Sequence, residues 1–187
     1  MKNEDVEIVK RTLARIIPPR PEGNSELILQ RYTKALYEAN KVLGDLFYAR
    51  LFEIAPETRE LFKGDMEAQN QKFVNMLVLL TRSMNRLHDT LNTMQELGVI
   101  HMKAGVKITD YQPFLSALLW ALREKLGEED FNDVVAKAWI AVLSRIAGIM
   151  VNAAYPEARG ITQAEATANN AAEARQEPPP ASASNEA

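Results

Sequence analysis

The sequence predicts an all-α fold. Apolar residues recur every three or four positions through the first 155 residues, which is the spacing of one face of a helix. No segment alternates convincingly between apolar and polar residues, as a half-buried strand would. Proline and glycine stand where the helical pattern stops. These observations predict about seven or eight helices between residues 3 and 155, with no internal repeat.

Composition limits the class of protein. The 187 residues suit one domain, and 47% of them are hydrophobic, so the chain can bury a core. The net charge is −3 without a cluster of Lys and Arg, so we expect no nucleic-acid partner. The sequence contains no cysteine, which excludes disulfides, thiolate metal sites and cysteine nucleophiles. It shows no signal peptide and no run of about 18 apolar residues, so we expect no membrane span and a cytoplasmic location.

The first predicted helix covers residues 3–17, and Pro18, Pro19 and Pro21 end it. Its helically spaced apolar residues are Val6, Ile8, Val9, Leu13, Ile16 and Ile17. We expect residues 1–24 to be an extra helix with a proline-rich link, packed outside the main fold or at the contact of a homodimer. The alternative is that this segment is the first helix of the fold, followed by an insertion.

The next helices lead to a sharp corner in the chain. Ser25 is a plausible N-cap for a helix to Asn40, and a third helix follows from Val42 to Ile54. Pro56 can open a short helix to Phe62, because proline lacks the N–H that a first turn leaves unused. Gly64 and Asp65 then predict a corner.

Four longer helical patterns fill the second half of the chain. They cover residues 66–86, 90–102, 110–126 and 128–155. Asp110 is the expected cap of the third, Gly127 its terminator, and Pro156 closes the fourth. Residues 156–187 are rich in Ala, Glu, Gln, Asn and Pro, and we expect a disordered tail there.

Only two histidines occur, and they differ in setting. His88 lies at a polar helix end, where a solvated side chain is expected. His101 lies at the end of an apolar helix, one turn after Leu97 and between Gly98 and Gly105. A lone histidine on an apolar face is often only a core residue. No zinc-ligand spacing, P-loop or nucleophile motif accompanies either histidine.

The chain resembles the bacterial single-domain globins and the globin part of flavohaemoglobins, over roughly residues 25–155. Three stretches carry the resemblance: residues 46–52 with Pro56, Leu61 and Phe62; residues 97–106 with Tyr111 and Phe114; and Ala138-Trp139. It implies a globin fold, a three-over-three helical sandwich, in residues 25–155. The cofactor implied is haem b.

The resemblance also assigns roles. It makes His101 the proximal ligand of the haem iron and Phe62 the ring that packs on the porphyrin. Tyr48 matches the distal tyrosine of this family, Gln69 the distal polar residue, and Phe73 the apolar residue that crowds the ligand. The full predicted cofactor-binding set is His101, Phe62, Tyr48, Gln69, Phe73, Leu97, Val106 and Tyr111, with His101 as the metal ligand.

The implied function is reversible binding of O₂, CO or NO for storage, delivery or scavenging. Tyr48 and Gln69 are the two donors that could hold bound O₂. A nitric oxide dioxygenase served by an external reductase, a gas sensor and a haem-free regulatory relative are the alternatives. In flavohaemoglobins a tyrosine and a glutamate support the proximal histidine. Tyr111 fits the tyrosine, but Ala153 and Ala154 stand near the glutamate position, which speaks against peroxidase-like chemistry.

Overall fold

The computed structural model describes residues 2–17, 21–83 and 91–158. The described chain is helical, as the spacing predicted. The long helices are α1 (Asn3–Ile16), α2 (Glu26–Ile54), α3 (Met66–Ser83), α4 (Leu91–Lys103), α5 (Tyr111–Asp130) and α6 (Asp133–Ala154). Short 3₁₀ helices cover Pro56–Leu61, Ile108–Asp110 and Pro156–Ala158. The predicted helix end at Arg86, the setting of His88 and the tail beyond residue 158 lie outside the described residues.

Helix α1 belongs to the core, which corrects the expectation that it packs outside the fold. It contacts α6 and α3. Val9 and Leu13 lie on its inner face and are fully buried. Its first turn is closed by the Asp5 carboxylate, which accepts from the Lys2 backbone N–H at 2.7 Å. Its apolar stripe therefore needs no second copy of the chain to cover it.

Helix α2 is continuous where the sequence predicted two helices. It begins at Glu26, with the Ser25 hydroxyl accepting from the Ile28 N–H at 3.4 Å, so the predicted cap is confirmed. It runs without interruption for 29 residues to Ile54. The expected break near residue 41 does not form, since no proline or glycine occurs between Ala39 and Lys41 to oppose the helix.

The junction of α5 and α6 also differs from the prediction. Gly127 has φ +80°, so it interrupts the helical path as expected. The next long helix does not begin at Glu128, however. The chain makes one more turn, with the Phe131 N–H donating to the Gly127 carbonyl at 2.9 Å. Asn132 then caps α6 by accepting from the N–H groups of Val134 and Val135.

Asp110 does not cap α5. Its carboxylate instead accepts from the Lys107 backbone N–H at 2.8 Å and so closes the 3₁₀ helix Ile108–Asp110. Helix α5 follows this turn directly at Tyr111. The aspartate is therefore used one turn earlier than the sequence suggested.

The helices pack in a defined set of pairs: α4 on α6, α2 on α5, α1 on α6, and α2 on α3. The largest fully buried side chains include Trp139, Phe47, Phe131, Leu118 and Leu122. The six long helices of the described residues belong to one compact unit, within residues 1–154. Helix α3, which carries Gln69 and Phe73, packs on α2. Helix α4, which carries His101, packs on α6.

Helix α6 is long and apolar enough to cross a membrane, by length and composition only. In the structure it packs against α1, α4 and α5 and buries Trp139 and Val142 completely. The same length and composition are found in central helices of helical cores. One such helix is therefore weak evidence for a membrane span.

Candidate functional site

His101 lies in the last turn of α4, and its ring is fixed by its own helix. The ring nitrogen Nδ1 is 2.8 Å from the backbone carbonyl oxygen of Leu97, one turn earlier. A carbonyl oxygen can only accept, so Nδ1 carries the hydrogen. The neutral ring then has its lone pair on Nε2, at the far end of the imidazole. The half-buried side chain presents one metal-ligating nitrogen in a set orientation.

The backbone around His101 is fixed as well. The Val106 N–H donates to the His101 carbonyl at 3.0 Å, and the Gly105 N–H donates to the Met102 carbonyl at 2.9 Å. Gly105 has φ +96°, so these bonds form the Schellman ending of a helix, in which glycine takes the left-handed position. The local sequence that ends α4 thus also holds the histidine in place.

Helix α4 approaches α6 very closely at Gly98. A Cβ built on Gly98 would lie 2.7 Å from the Cα of Met150, which no real side chain tolerates. Glycine therefore allows the backbones of α4 and α6 to touch. Gly98 lies three residues before His101 on the same helix.

A second group of predicted residues meets around Tyr48. Tyr48 is 6% exposed, and burial raises the pKa of its phenol above 10.0. A hydrogen bond with the Gln69 side chain lowers that pKa by a smaller amount. The Gln69 side chain therefore lies within hydrogen-bonding reach of the Tyr48 hydroxyl.

Aromatic rings enclose Tyr48. The Phe62 ring stands edge-on to it at 5.2 Å between centroids, and the Phe73 ring does so at 6.0 Å. Phe73 also stacks on Phe47 at 4.6 Å with an interplanar angle of 9°. Phe52 closes the group against Phe62 at 5.6 Å. We call these five residues and Gln69 the distal cluster.

Helices α2 and α3 cross at Gly44, one turn before Tyr48 on α2. The position that a Cβ would take on Gly44 is filled by the side-chain amide of Asn70. That amide donates to the Lys41 backbone carbonyl at 3.2 Å and to an Asp45 carboxylate oxygen at 2.9 Å. Asn70 was not predicted from the sequence. The adjacent Gln69 and the glycine at position 44 were the only signals available.

The structure thus brings Tyr48, Phe62, Gln69 and Phe73 together, at the junction of α2, the first 3₁₀ helix and α3. It places Leu97, His101 and Val106 together at the end of α4. Tyr111 is the first residue of α5, and its hydroxyl is buried. The roles assigned to these eight residues remain predictions.

The donor set fits a haem. In the described part of the chain, no group of three or more His, Cys, Asp and Glu side chains comes close enough to hold a metal ion. Haem iron takes four ligands from the porphyrin and needs only one axial ligand from the protein, which a single imidazole such as His101 can supply. The aromatic distal cluster suits the apolar face of such a disc.

Comparison with known proteins identifies the family. The Globin family model matches residues 45–150, more than half of the chain, and includes both His101 and the distal cluster. The chain belongs to the globin family. Membership implies a haem cofactor and a diatomic gas ligand.

Three curated proteins are distantly similar to this chain. It is 28% identical over 108 residues to an anaerobic nitrite reductase of Gossypium hirsutum, covering 50% of this chain and 68% of that protein. It is 27% identical over 135 residues to the flavohemoprotein of Pseudomonas aeruginosa, covering 70% of this chain and 34% of that protein. A third match, 28% identical over 116 residues, is to an anaerobic nitrite reductase of Arabidopsis thaliana, covering 54% of this chain and 73% of that protein.

A solved structure confirms the fold. The engineered carbene transferase RmaNOD of Rhodothermus marinus superposes with a TM-score of 0.62 at 19% identity. The alignment covers 87% of this chain and 99% of that one. The predicted globin fold and the predicted resemblance to bacterial globins and flavohaemoglobins are therefore confirmed.

Proposed function

We propose that this globin holds haem b through Nε2 of His101 and reversibly binds a diatomic gas beside Tyr48. The observation that carries the proposal is the bond from Nδ1 of His101 to the Leu97 carbonyl. That bond fixes which nitrogen is free and where it lies. When bound, haem supplies an iron atom with one position open to O₂, CO or NO.

The haem-binding unit in this proposal is residues 25–155. Leu97 and Val106 flank His101 on the proximal side, and Phe62 packs on the edge of the porphyrin. Tyr111 supports the proximal side from the start of α5. Loss of the contacts made by these flanking residues would weaken haem binding but would leave the iron ligand, His101, in place.

The distal cluster has two tasks in this proposal. The Tyr48 hydroxyl donates a hydrogen bond to the gas ligand, while the Gln69 side chain contacts the same hydroxyl and keeps it in position. Phe73 and Phe62 exclude water from the same space, which strengthens that bond. The four residues favour a ligand that accepts hydrogen bonds, such as O₂, over one that does not.

The proposal is tested by expression with added haem, followed by absorption spectra of the ferric, ferrous and CO-bound forms. We expect the wild-type protein to show an intense Soret band that shifts on CO binding. His101→Ala should lose the haem or change its spectrum strongly, and external imidazole should restore the spectrum. His88→Ala is the matched control and should behave as wild type. A haem-supplemented wild-type protein that stays colourless would refute the proposal.

A second candidate is turnover of nitrogen oxides, as a nitric oxide dioxygenase with an external reductase. The pair formed by Tyr48 and Gln69 favours it, because a donor that stabilises bound O₂ also keeps it in place for reaction with NO. The name of the cotton relative, an anaerobic nitrite reductase, also refers to the chemistry of nitrogen oxides. Rapid mixing of the oxygenated protein with NO, with a flavin reductase present, should give repeated turnover. A single turnover would leave gas binding as the function.

A further inference from the structure

Asn70 occupies an unusual place for a polar side chain. It is 3% exposed and lies where α2 and α3 cross, over Gly44. Its amide nitrogen contacts two oxygens, the Lys41 carbonyl and the Asp45 carboxylate, and these can only accept. The NH₂ group must therefore face α2, and the orientation of the amide is fixed by chemistry.

The two acceptors are themselves held in place. One Asp45 carboxylate oxygen accepts from Asn70, and the other accepts from the Lys41 ammonium at 2.7 Å. That bond raises the pKa of Lys41, so the ammonium group stays charged. The Lys41 carbonyl belongs to the backbone of α2. Asn70 thus binds to a fixed point of α2 one to two turns before Tyr48.

Asn70 is also the immediate neighbour of Gln69 on α3. A rotation or shift of α3 on α2 at this crossing would carry Gln69 away from the Tyr48 oxygen. The crossing has room for Asn70 only because residue 44 has no side chain. The clamp formed by Lys41, Gly44, Asp45 and Asn70 therefore lies next to the hydrogen bond of the distal cluster.

We propose that Asn70 is a positioning residue of the distal site, which fixes α3 on α2 so that the Gln69 side chain stays beside Tyr48. The inference rests on the proposed gas-binding function and deepens it. Asn70 acts through Gln69 and contacts neither ligand nor cofactor. Its effect on ligand binding should therefore exist only while Gln69 is present.

A double-mutant cycle tests this dependence in the haem-loaded protein. Asn70→Ala should raise the O₂ dissociation rate about twofold to tenfold, which corresponds to the loss of one neutral hydrogen bond. In a Gln69→Leu background the same substitution should cause no further change. The matched control is Asn75→Ala, an exposed asparagine on the same helix, which should leave the rate unchanged.

A spectroscopic readout supports the kinetic one. The infrared C–O stretch of the CO complex reports the donor beside the ligand. We expect Asn70→Ala to shift or broaden this band, and the shift should vanish in the Gln69→Leu background. A role in stability alone would lower the melting temperature and leave both the band and the dissociation rate as in the wild type.

A second pair of variants keeps the test decisive if Asn70→Ala does not fold. Asn70→Asp puts a carboxylate against Asp45 and should disturb the band and the rate more strongly. Adding Asp45→Asn restores a donor and an acceptor at the crossing and should recover much of the loss. No recovery, or equal effects of Asn70→Ala with and without Gln69, would overturn the inference. If Tyr48→Phe leaves O₂ dissociation unchanged, the proposed function has failed instead.

Discussion

At the scale of single residues, the site depends on how Tyr48 is held. Burial raises the pKa of its phenol, and the contact with Gln69 lowers that pKa by a smaller amount. The ring is fixed by edge contacts with Phe62 and Phe73. In the proposed function this hydroxyl is a preorganised donor, which does not have to be reoriented when a ligand arrives.

Removing that hydroxyl should weaken gas binding and leave the pocket intact. Tyr48→Phe keeps the ring and its aromatic contacts. We expect the O₂ dissociation rate to rise about tenfold to a hundredfold, because a hydrogen bond to a charged acceptor contributes roughly 1.5–3 kcal/mol. Stopped-flow displacement of O₂ by CO measures this rate. Tyr37→Phe removes an exposed hydroxyl bonded to Glu67 and is the control that should show no change.

The pH dependence follows from the raised pKa of Tyr48. Its proton stays in place up to its ordinary pKa of 10.0 and beyond. The O₂ dissociation rate should therefore be flat between about pH 6 and pH 9. Because the folded-state pKa is raised, the stability contributed by neutral Tyr48 is present below pH 10.0 and is lost as the pH rises through the folded value. A rate that increases with a midpoint near neutral pH would contradict this account.

Sequence reasoning reached some of these residues and not others. The resemblance singled out Tyr48, Phe62, Gln69 and Phe73, and the structure brings them together. Asn70 escaped because a polar residue beside Gln69 reads as part of the solvated face of α3. Its burial depends on the crossing at Gly44, where the glycine indicates a close approach of two helices but not the residue that fills the space.

At the scale of elements, the ending of α4 combines structure with function. Gly105→Ala forces a left-handed conformation on a residue with a Cβ, at a cost of about 1–2 kcal/mol. We expect the free energy of unfolding in urea to fall by about that amount, and haem loss to become faster because His101 is less firmly held. Gly64→Ala, where a Cβ would meet nothing within 4 Å, is the control and should change stability by less than about 0.5 kcal/mol.

The crossing of α4 and α6 offers a comparison of two glycines. Gly98→Ala would drive a methyl group into the backbone of Met150 and should lower stability by about 1–3 kcal/mol. Gly148→Ala, on α6 itself, meets nothing within 4 Å and should raise stability by up to about 1 kcal/mol through helix propensity. Urea denaturation of the two variants side by side checks the opposite signs. Equal effects would mean that the helices do not cross at Gly98.

Helix boundaries were predicted well where proline or glycine sets them. Pro56 opens a short helix and Gly127 interrupts the helical path, as expected, and the predicted Ser25 cap also forms. The predicted break between Asn40 and Val42 was wrong, because helix propensity alone carries the chain through that point. The start of α6 was placed too early, because Asn132 is a stronger cap than Glu128 and the turn between them was not recognised.

At the scale of the whole molecule, α1 completes the core. Leu13 is fully buried in the cluster shared with the other helices. Leu13→Ala should therefore lower the free energy of unfolding by about 2–5 kcal/mol. Arg11→Ala, at an exposed position of the same helix, should change it by less than about 0.5 kcal/mol. A small effect of Leu13→Ala would support the original expectation of a peripheral helix.

The overall fold could be predicted from periodicity and resemblance, but the place of α1 could not. Two segments, residues 3–17 and the first half of α2, carry the same kind of apolar stripe. Spacing from Tyr48 favoured the second as the first helix of the fold. The choice is made by α6, which packs on α1. Such a contact between distant segments leaves no local trace in either helix.

The pairing of α1 with α6 affects how the chain can fold during synthesis. Helix α1 leaves the ribosome long before its main partner, which begins only at Asp133. Until then, Val9, Leu13 and their neighbours remain exposed to water or to chaperones. Helix α4, which also packs on α6, can reach its place in the core only after α6 has been synthesised. A nascent chain can therefore complete its core, and become able to hold haem, only after α6 has been synthesised.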